Sequence, residues 1–473
     1  MRGVTELSKP RGPAAGGSWT LTALCLGFFM IMMDATVVNT ALPAIGADLS
    51  ASVSGLQWVV DGYTLVFACL LLSGGSLGDR LGARRIFLAG LVVFTIASAA
   101  CGLAGTLAVL NVARIVQGVG AALVLPTSLA LINASYPDRA RRVRAIGMWG
   151  GFGGTAAGLG PVVGGLLTTW VGWPAIFYVN VPIGAVAVVL TLRHVVAPAP
   201  RQGSGLDPLG QALAVVTVAA LAFGLIEGGA RGWGSGPVLL AFAVTVLGGS
   251  VFVLAERRHP DPMLPPALFR RREFSGAIAV GAAINIGFYG ELFLLSLYFQ
   301  QVRHFSPLVA GLALLPQPAI TSVASAIAGR QNARHGPRGI MLTGLCVGAL
   351  GLFAMVLCGA TSPYWLIVWP LLAIGFGTGY TMPAATAAAI EAAPADQAGT
   401  ASGAFNASRQ LGSTIGVAVF GALVAGTGGL LAAYHVSVVI GGLVFAAGAV
   451  VAWCAIPRRR PDLADGDQAS TSR

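Results

Sequence analysis

Charged residues are scarce in this sequence, and lysine is almost absent. Only 10% of the 473 residues are charged, and the single lysine is Lys9, within Ser8-Lys9-Pro10. A phosphate-binding loop needs Gly-Lys-Ser or Gly-Lys-Thr, so the sequence excludes nucleotide hydrolysis at such a loop. No apolar segment carries a lysine that could form a retinal-type Schiff base. An ion gradient remains as the energy source. Protons are favoured over sodium because no cation cage is recognisable, although sodium stays open.

Cysteine and histidine are also few. The five histidines form no zinc or triad pattern, and the six cysteines lie singly in apolar segments without metal-ligand spacing. Isolated cysteines in such segments usually act as small buried hydrophobes. We therefore expect no metal site, no cofactor and no enzymatic activity. The cysteines are Cys25, Cys69, Cys101, Cys346, Cys358 and Cys454.

Apolar residues dominate what is present. They make up 56% of the chain, and the mean hydropathy of +0.80 is far above that of a soluble domain. Stretches of about 20 apolar residues, each long enough to cross a bilayer, recur along the whole length. The first is too long for a signal-peptide core, so we expect no cleavable signal. The sequence predicts an all-α polytopic membrane protein with fourteen spans, centred near Met30, Val66, Thr95, Val119, Ala156, Val186, Val218, Val246, Phe288, Val323, Ala349, Ile374, Val417 and Phe445.

The net charge of +11 would indicate a nucleic-acid partner in a soluble protein. Here its placement indicates membrane topology instead. Of the 28 Lys and Arg residues, Arg114 and Arg409 lie within or at the edge of helices, and Arg231 and Arg303 lie in loops opposite the termini. The remaining 28 − 4 = 24 belong to the termini and the loops on their side. This positive-inside bias predicts a multi-pass protein of the cytoplasmic (inner) membrane with both termini in the cytoplasm.

The predicted spans divide into two halves and an insert. We expect a cytoplasmic N-terminal arm (1–18), a six-helix bundle (19–196), a linker with two additional helices (197–272), a second six-helix bundle (273–457) and a disordered cytoplasmic tail (458–473). The halves are weakly related, as a duplicated six-helix unit would require. At an offset of 375 − 118 = 257 residues, Gly118, Gly120, Pro126, Ala130 and Pro137 recur as Gly375, Gly377, Pro383, Ala387 and Pro394.

Several motifs resemble those of a known family. They are the run 33–43 at the end of the first helix, the run 57–63 opening the second, the loop 74–85, and Leu110, Arg114, Gln117, Gly118 and Gly120 on the fourth. With the Gly-Pro helix described next, they resemble the signature set of the fourteen-span drug:proton antiporters (EmrB/QacA type) of the major facilitator superfamily. Within that family the sequence is most similar to actinomycete antibiotic-resistance exporters. The resemblance implies the major facilitator fold, with two six-helix bundles and two extra helices between them.

The Gly-Pro helix lies in the apolar stretch from about 146 to 168. Repeated small residues let a neighbouring helix approach closely, and a proline favours a kink. The spacing resembles the antiporter signature of the fifth helix, although Ala156 stands where that signature usually has Gly. Ordinary small-residue packing is the alternative explanation. The residues of this antiporter helix are Gly147, Gly160, Pro161, Gly164 and Gly165.

The loop between the second and third helices packs opposite charges between two helix ends. Its glycines allow a tight turn, and Asp79 can accept hydrogen bonds from Arg80 or from a helix N-terminus of the other half. We expect a latch that holds the cytoplasmic side shut; a plain positive-inside loop is the alternative. The gate-loop residues are Gly75, Asp79, Arg80, Gly82, Arg84 and Arg85.

Ionisable residues inside predicted spans are the main candidates for function, because a charge there is costly unless it is hydrated, paired or neutralised. Asp34 is the leading candidate for proton coupling and for contact with a cationic or polar substrate. Glu291 follows it by 257 residues, so we expect both carboxyls to face a central cavity. Arg114 is expected to tune a nearby carboxylate or to anchor Gln117. Structural roles remain open for Asp34 and Arg114, and Asp61 and Glu227 either line an outer vestibule or are simply solvated.

The resemblance implies proton-coupled efflux of a small amphipathic drug or antibiotic by alternating access. The expected partners are that substrate, protons and the lipid bilayer, with no nucleic acid, and the protein is expected to be a monomer. Proton-coupled uptake or export of an endogenous metabolite on the same fold is the alternative. A membrane enzyme or receptor also stays open, although no catalytic constellation is present. The sequence does not specify the substrate.

Overall fold

The computed structural model describes residues 17–196, 207–259, 262–394, 397–426 and 429–458. Within these ranges the regular secondary structure is entirely helical, which confirms the predicted all-α class. Most of the predicted N-terminal arm, the start of the linker and the C-terminal tail lie outside the described residues.

The first half consists of long helices joined by short turns. Three of these helices begin at polar caps whose side chains accept a hydrogen bond from a backbone N–H of the first turn: Ser52, Thr106 and Asp138. Gly82, with φ of +97°, allows the abrupt turn between the second and third helices. The helices are α1 (Ser18–Asp48), α2 (Val53–Leu81), α3 (Ala83–Gly102), α4 (Leu107–Ser135), α5 (Arg139–Trp170), the short α6 (Ala175–Tyr178) and α7 (Asn180–His194).

The inserted pair is α8 (Pro208–Arg231) and α9 (Gly236–Arg258). Asp207 caps α8 by accepting from the backbone N–H of Gly210 (2.7 Å). On α9, large apolar side chains such as Leu240, Val246 and Leu247 are exposed, as expected of a helix that faces lipid. The pair therefore lies at the periphery of the bundle.

The second half follows a short helix, α10 (Pro266–Phe269). Its second span is broken at Leu315, between two segments that each begin with proline, which cannot continue a helical hydrogen-bond ladder. The helices are α11 (Arg272–Leu297, continued by a π-helical turn, Tyr298–Val302), α12 (Pro307–Leu314), α13 (Pro316–His335), α14 (Pro337–Ala354, continued by a 3-10 turn, Met355–Leu357), α15 (Tyr364–Glu391), α16 (Ala398–Gly426) and α17 (Leu430–Ala455).

Equivalent glycines of the two halves make equivalent contacts. Gly118 of α4 packs against α2, and Gly375 of α15 packs against α13; a Cβ at these positions would meet the backbone of the neighbouring helix. Gly120 packs likewise against α3, and Gly377 against α14. These contacts match the 257-residue offset found in the sequence.

Hydropathy identifies fewer spans than the fourteen predicted. Among the described residues, twelve helices are long and apolar enough to cross a membrane. The two long helices outside this set are α5, with 32 residues, and α16, with 29. Both are rich in glycine and polar residues and pack against other helices, so their sequences need little apolar surface.

Candidate functional site

A cavity of about 600 Å³ lies between the two halves. The first half contributes Thr36 of α1 and one face of α5, and the second half contributes side chains from α11, α12, α13, α15 and α16. Apolar residues alternate on its wall with neutral polar ones, including Asn285, Gln317 and Thr378. A pocket of this size between helices, with a few polar groups, is typical of a small-molecule site.

Glycines of α5 close one end of this cavity. A Cβ at Gly160 would lie 3.0 Å from the backbone nitrogen of Val37 on α1, and one at Gly165 would lie 2.9 Å from the Cα of Leu308 on α12. Thr36 Oγ1 also donates to the carbonyl of Ala157 (3.1 Å). Near its C-terminal end, α5 is therefore held tightly between the two halves.

Nearer its N-terminal end, α5 diverges from the second half. Gly147, Gly150, Gly151 and Gly154 have open space where a side chain would be, and all four line the cavity, as Ser325 of α13 does. Among the antiporter-helix residues, Gly160, Gly164 and Gly165 pack against neighbouring helices, whereas Gly147 lines the cavity. Pro161 does both, because it lines the cavity and its carbonyl lies against Gly311 of α12. The cavity opens toward the end of the bundle where α5 begins.

The seam between α2 and α16, where the two halves also meet, is closed along its length. At one end Gln57 Nε2 donates to the carbonyl of Ala418 (2.8 Å), and in the middle the hydroxyls of Thr64 and Thr414 are 3.1 Å apart. At the other end, Gly403 of α16 packs against Leu72 of α2. Among the described residues, these contacts close the α2–α16 side, and the cavity is open between α5 and α13.

Asp34 does not face this cavity, contrary to the expectation from sequence. It is completely buried inside the first half, where Arg114 Nη1 donates to its Oδ2 at 2.5 Å. Gln117 Nε2 and Asn180 Nδ2 each donate to its Oδ1 at 2.9 Å. A buried carboxylate is stable with this set of partners, because each oxygen accepts at least one charged or neutral donor.

Arg114 completes the same network. Its Nε donates to the backbone carbonyl of Val59 (2.9 Å), and its guanidinium lies 4.4 Å from the centre of the Tyr63 ring. It pairs with Asp34 and contacts Gln117, as expected from the sequence. Two members of the network were not predicted: Asn180 and Ser98, whose hydroxyl accepts from Gln117 (2.8 Å).

Glu291 lies directly behind the cavity wall. It is completely buried, and Gln317 Nε2, from a side chain that lines the cavity, donates to its Oε2 at 2.7 Å. Its Oε1 has no donor among the described residues. Because only one amide separates it from the cavity, a shift of Gln317 would bring Glu291 into contact with cavity water.

Asp61 and Glu227 are not simply solvated, and neither lines the cavity. Glu227 accepts from Arg231 Nε (2.6 Å) and from Trp58 Nε1 (3.4 Å), which ties α8 to α2. Asp61 is completely buried, and both of its carboxyl oxygens lack a donor among the described residues. Such a group favours its neutral, protonated form, since an unpaired buried charge is very costly.

Most of the gate loop is helical, because α2 extends to Leu81 and α3 begins at Ala83. Gly74 and Gly78 pack closely on α4, and Gly75 lies beside Pro126. Arg84 Nη2 donates to the carbonyl of Leu192 at the end of α7 (2.7 Å). This contact joins the loop to α7, and the latch expected around Asp79 stays a prediction.

Arg409 of α16 is a cavity residue that the sequence analysis passed over. It is the one charged side chain among the described residues of the cavity wall. Its Nη1 donates to Asn406 Oδ1 (3.3 Å), and its buried Nε has no acceptor among the described residues. In the sequence it looked like one more arginine at a helix edge, and its position on the cavity wall near Tyr289 depends on how α16 is rotated.

Two related helical halves around a cavity that is closed at one end define a membrane transporter. Residues 24–417 match the Major Facilitator Superfamily, and the chain belongs to that family. It is 41% identical over 440 residues to the "Methylenomycin A resistance protein" of Streptomyces coelicolor, covering 93% of this chain and 92% of that protein. It is 40% identical to the "Multidrug resistance protein Stp" of Mycobacterium tuberculosis over 406 residues, 86% and 75% of the two chains.

A solved structure of a POT family transporter in complex with a thioalcohol-conjugated peptide has the same fold. The TM-score is 0.69, and the match covers 96% of this chain and 98% of that one. The two sequences are only 15% identical, so this likeness concerns the fold.

Proposed function

We propose that the protein exports a small amphipathic drug or antibiotic across the cytoplasmic membrane in exchange for protons, by alternating access. The observation that carries the proposal is the cavity, which both halves line and which is closed at one end and open at the other. Relatives that align over most of the chain are named for resistance to methylenomycin A, tetracenomycin C and puromycin. The chain acts as a monomer, and a proton gradient rather than a bound cofactor supplies the energy.

The proposal includes fourteen spans. Besides the twelve apolar helices, α5 and α16 run alongside α1 and α11, and both exceed the roughly 20 residues that a bilayer requires. With an even number of spans, both termini lie on one side, and the positive-inside bias makes that side the cytoplasm. The cavity then opens to the cytoplasm, as expected of an exporter ready to take up its substrate.

This topology predicts the side from which introduced cysteines can be labelled. In a background without the native cysteines, Arg141→Cys and Arg270→Cys should react with a membrane-impermeant maleimide only after the cells are opened. Gly234→Cys should react in intact cells; Gly234 suits the probe because it has open space and no left-handed backbone. Labelling of all three from one side would contradict the fourteen-span arrangement.

Proton coupling is assigned to the buried carboxyls that lack a full set of donors. Asp61 has no donor and Glu291 has one, so hydration during the transport cycle would change the stability of their charged forms. Asp34 enters the mechanism only if its ion pair with Arg114 opens. The Gly-Pro helix, the gate loop and these carboxyls together supply the parts that an antiporter requires.

Efflux is tested by expressing the protein in a drug-sensitive host and measuring ethidium accumulation and growth inhibition by a panel of antibiotics. Wild type should lower accumulation of at least one compound, and a protonophore should restore it. Higher accumulation with the protein present would indicate uptake instead. Efflux that survives the protonophore but stops in sodium-free medium would show that the coupling ion is sodium and not the proton.

A further inference from the structure

We propose that the cavity binds a small, mostly apolar organic acid through its carboxylate, with Arg409 as the ionic partner. The inference rests on the proposed export function and names the class of substrate. It differs from the expectation drawn from the sequence, in which Asp34 would attract a cationic or polar compound.

The charge of the cavity wall comes from Arg409. Every other described lining residue is neutral, from the glycine face of α5 to the hydroxyls of Thr321, Ser322 and Ser325 on α13. One ion pair joins Arg114 to Asp34 and another joins Arg231 to Glu227, and Arg409 belongs to neither. The guanidinium of Arg409 is therefore a positive charge on the wall of a buried cavity without a carboxylate partner in the described chain.

The nearby carboxyls do not neutralise it. Asp34 is paired with Arg114 inside the first half, Glu291 is held by Gln317, and Asp61 lies off the cavity wall. None of them has an oxygen within 4.0 Å of an Arg409 nitrogen. A cationic drug would thus meet an uncompensated positive charge in this cavity, and repulsion between like charges is strong where water is scarce.

An acid satisfies what the arginine lacks. The buried Nε of Arg409 has no acceptor, and its Nη1 has only the neutral oxygen of Asn406. A guanidinium presents its donors as a planar fork that matches the two oxygens of a carboxylate. A single fork compensates one negative charge, which favours a monoanionic carboxylate over a phosphate dianion.

The rest of the wall fits the rest of such a molecule. Phe288, Leu292 and Met382 offer apolar surface, and Tyr289 lies near enough to interact with the charge of Arg409. The hydroxyl of Thr378 is buried and has no hydrogen-bond partner among the described residues. A cavity of about 600 Å³ accommodates a compound of one or two rings and excludes a large polyanion.

The test measures binding of three probes of nearly equal shape to the purified protein in phosphatidylcholine nanodiscs at neutral pH. The probes are 1-naphthaleneacetate, its neutral amide, and the cation (1-naphthylmethyl)trimethylammonium. Wild type should bind the acid about 10-fold or more tightly than either of the others, since a charge-assisted hydrogen bond is worth roughly 1.5–3 kcal/mol. In Arg409→Gln the acid should fall to the affinity of the amide, and amide binding should stay unchanged.

Arg338→Gln is the matched control, because Arg338 stacks on Trp453 away from the cavity, and it should keep the preference for the acid. Arg409→Lys keeps the charge but loses the fork, so its preference should lie between those of wild type and Arg409→Gln. If Arg409→Gln does not fold, the relative affinities of the three probes for wild type and for Arg409→Lys still test the proposal. A wild type that binds all three probes equally, or the cation best, overturns the proposal, as does an acid preference that survives in Arg409→Gln.

A second arm separates a free acid from a lipid. Phosphatidylglycerol is added to the nanodiscs; if it displaces the acid, the anion site belongs to a lipid headgroup and the substrate assignment is wrong. Failure of the export function is seen separately. If cells show no protein-dependent efflux of any compound, the export function is wrong. If they export ethidium but the purified protein does not bind the acid, only the substrate class is wrong.

Discussion

At the scale of single residues, the buried carboxyl groups differ in how many donors they have. Asp34 accepts three hydrogen bonds, one of them from Arg114, whereas Asp61 has no donor and Glu291 has one. Full pairing fixes a charge in place, and an unpaired buried carboxyl is stable only when protonated. The donors around Asp34 therefore stabilise its carboxylate in this conformation, whereas Asp61 has no donor of that kind among the described residues.

Asp34→Asn should destabilise the first half. The change leaves the charge of Arg114 buried without a counter-ion, which typically costs about 3–5 kcal/mol. We expect a clearly lower unfolding temperature in detergent. The double variant Asp34→Asn/Arg114→Gln should regain part of the loss, because neither charge then remains unpaired. Unchanged unfolding in the single variant would show that the pair contributes nothing to stability.

Asp61→Asn should have the opposite profile. An amide replaces a neutral carboxyl of the same size, so the unfolding temperature should change little compared with Asp34→Asn. The variant cannot bind and release a proton, and substrate-induced proton release from the purified protein should fall well below the wild-type value. Full proton release and active efflux in Asp61→Asn would remove Asp61 from coupling and leave Glu291 as the candidate.

Sequence reasoning found the chemistry of the site better than its geometry. It singled out Asp34, Arg114 and Glu291 because an ionisable group in an apolar span is visible from the sequence alone. It placed Asp34 on the cavity wall because the rotation of a buried helix leaves no periodic signal when every face is apolar. Arg409 was passed over for the same reason, and Asn180 gave no signal at all.

At the scale of elements, α5 joins two functions in one helix. Gly160 and Gly164 face α1, Gly165 faces α12, and four glycines nearer the start of the helix face the cavity: Gly147, Gly150, Gly151 and Gly154. Close packing near one end and open space near the other are what a helix at a gate requires. The proline signature marks this helix in the sequence, but which glycine does what depends on the partner helices.

Gly160→Ala and Gly147→Ala separate these roles. A methyl group at residue 160 meets the side chain of Thr36 and the backbone of Val37, whereas residue 147 has open space. Overpacking of this kind typically costs about 1–3 kcal/mol, so Gly160→Ala should lower both the unfolding temperature and efflux. Because residue 147 has room for a methyl group, Gly147→Ala should leave the unfolding temperature unchanged and keep efflux within about twofold of wild type. Equal effects of the two changes would contradict the packing described for α5.

The sequence predicts the helices of the fold well because spans that face lipid are apolar and hydropathy detects them. All fourteen predicted segments correspond to helices, and among the described residues twelve of these helices are long and apolar enough to cross a membrane, with α5 and α16 outside that set. The breaks at α6–α7 and α12–α13 were not predicted. The gate loop was expected as a loop, yet α2 runs as far as Leu81 before Gly82 turns the chain.

At the scale of the whole molecule, the two seams between the halves are unlike. The inserted helix α8 packs over the α2–α16 seam: Gly229 contacts Ala422, and Gln211 Nε2 donates to the carbonyl of Cys69 (2.7 Å). In the described ranges no inserted helix covers the opposite seam, between α5 and α13, which holds the open end of the cavity. The insert thus braces one side, and the halves part most easily on the other.

This asymmetry predicts that two cross-links on the same pair of helices will act differently. Thr64→Cys/Thr414→Cys joins α2 to α16 at mid-height, where the native hydroxyls are 3.1 Å apart. Gln57→Cys/Gly421→Cys joins them at the closed end, where a Cβ at residue 421 would lie 2.7 Å from Gln57 Cγ.

Opening toward the outside requires the halves to separate at the closed end while pivoting near the middle. After oxidation in a background without native cysteines, the second pair should abolish efflux, and a reductant should restore it. The first pair should retain most of its efflux, because a pivot moves little. Each single-cysteine variant, treated with the same oxidant, controls for other oxidation. Loss of efflux from the mid-height pair alone would place the pivot elsewhere and contradict a braced α2–α16 seam.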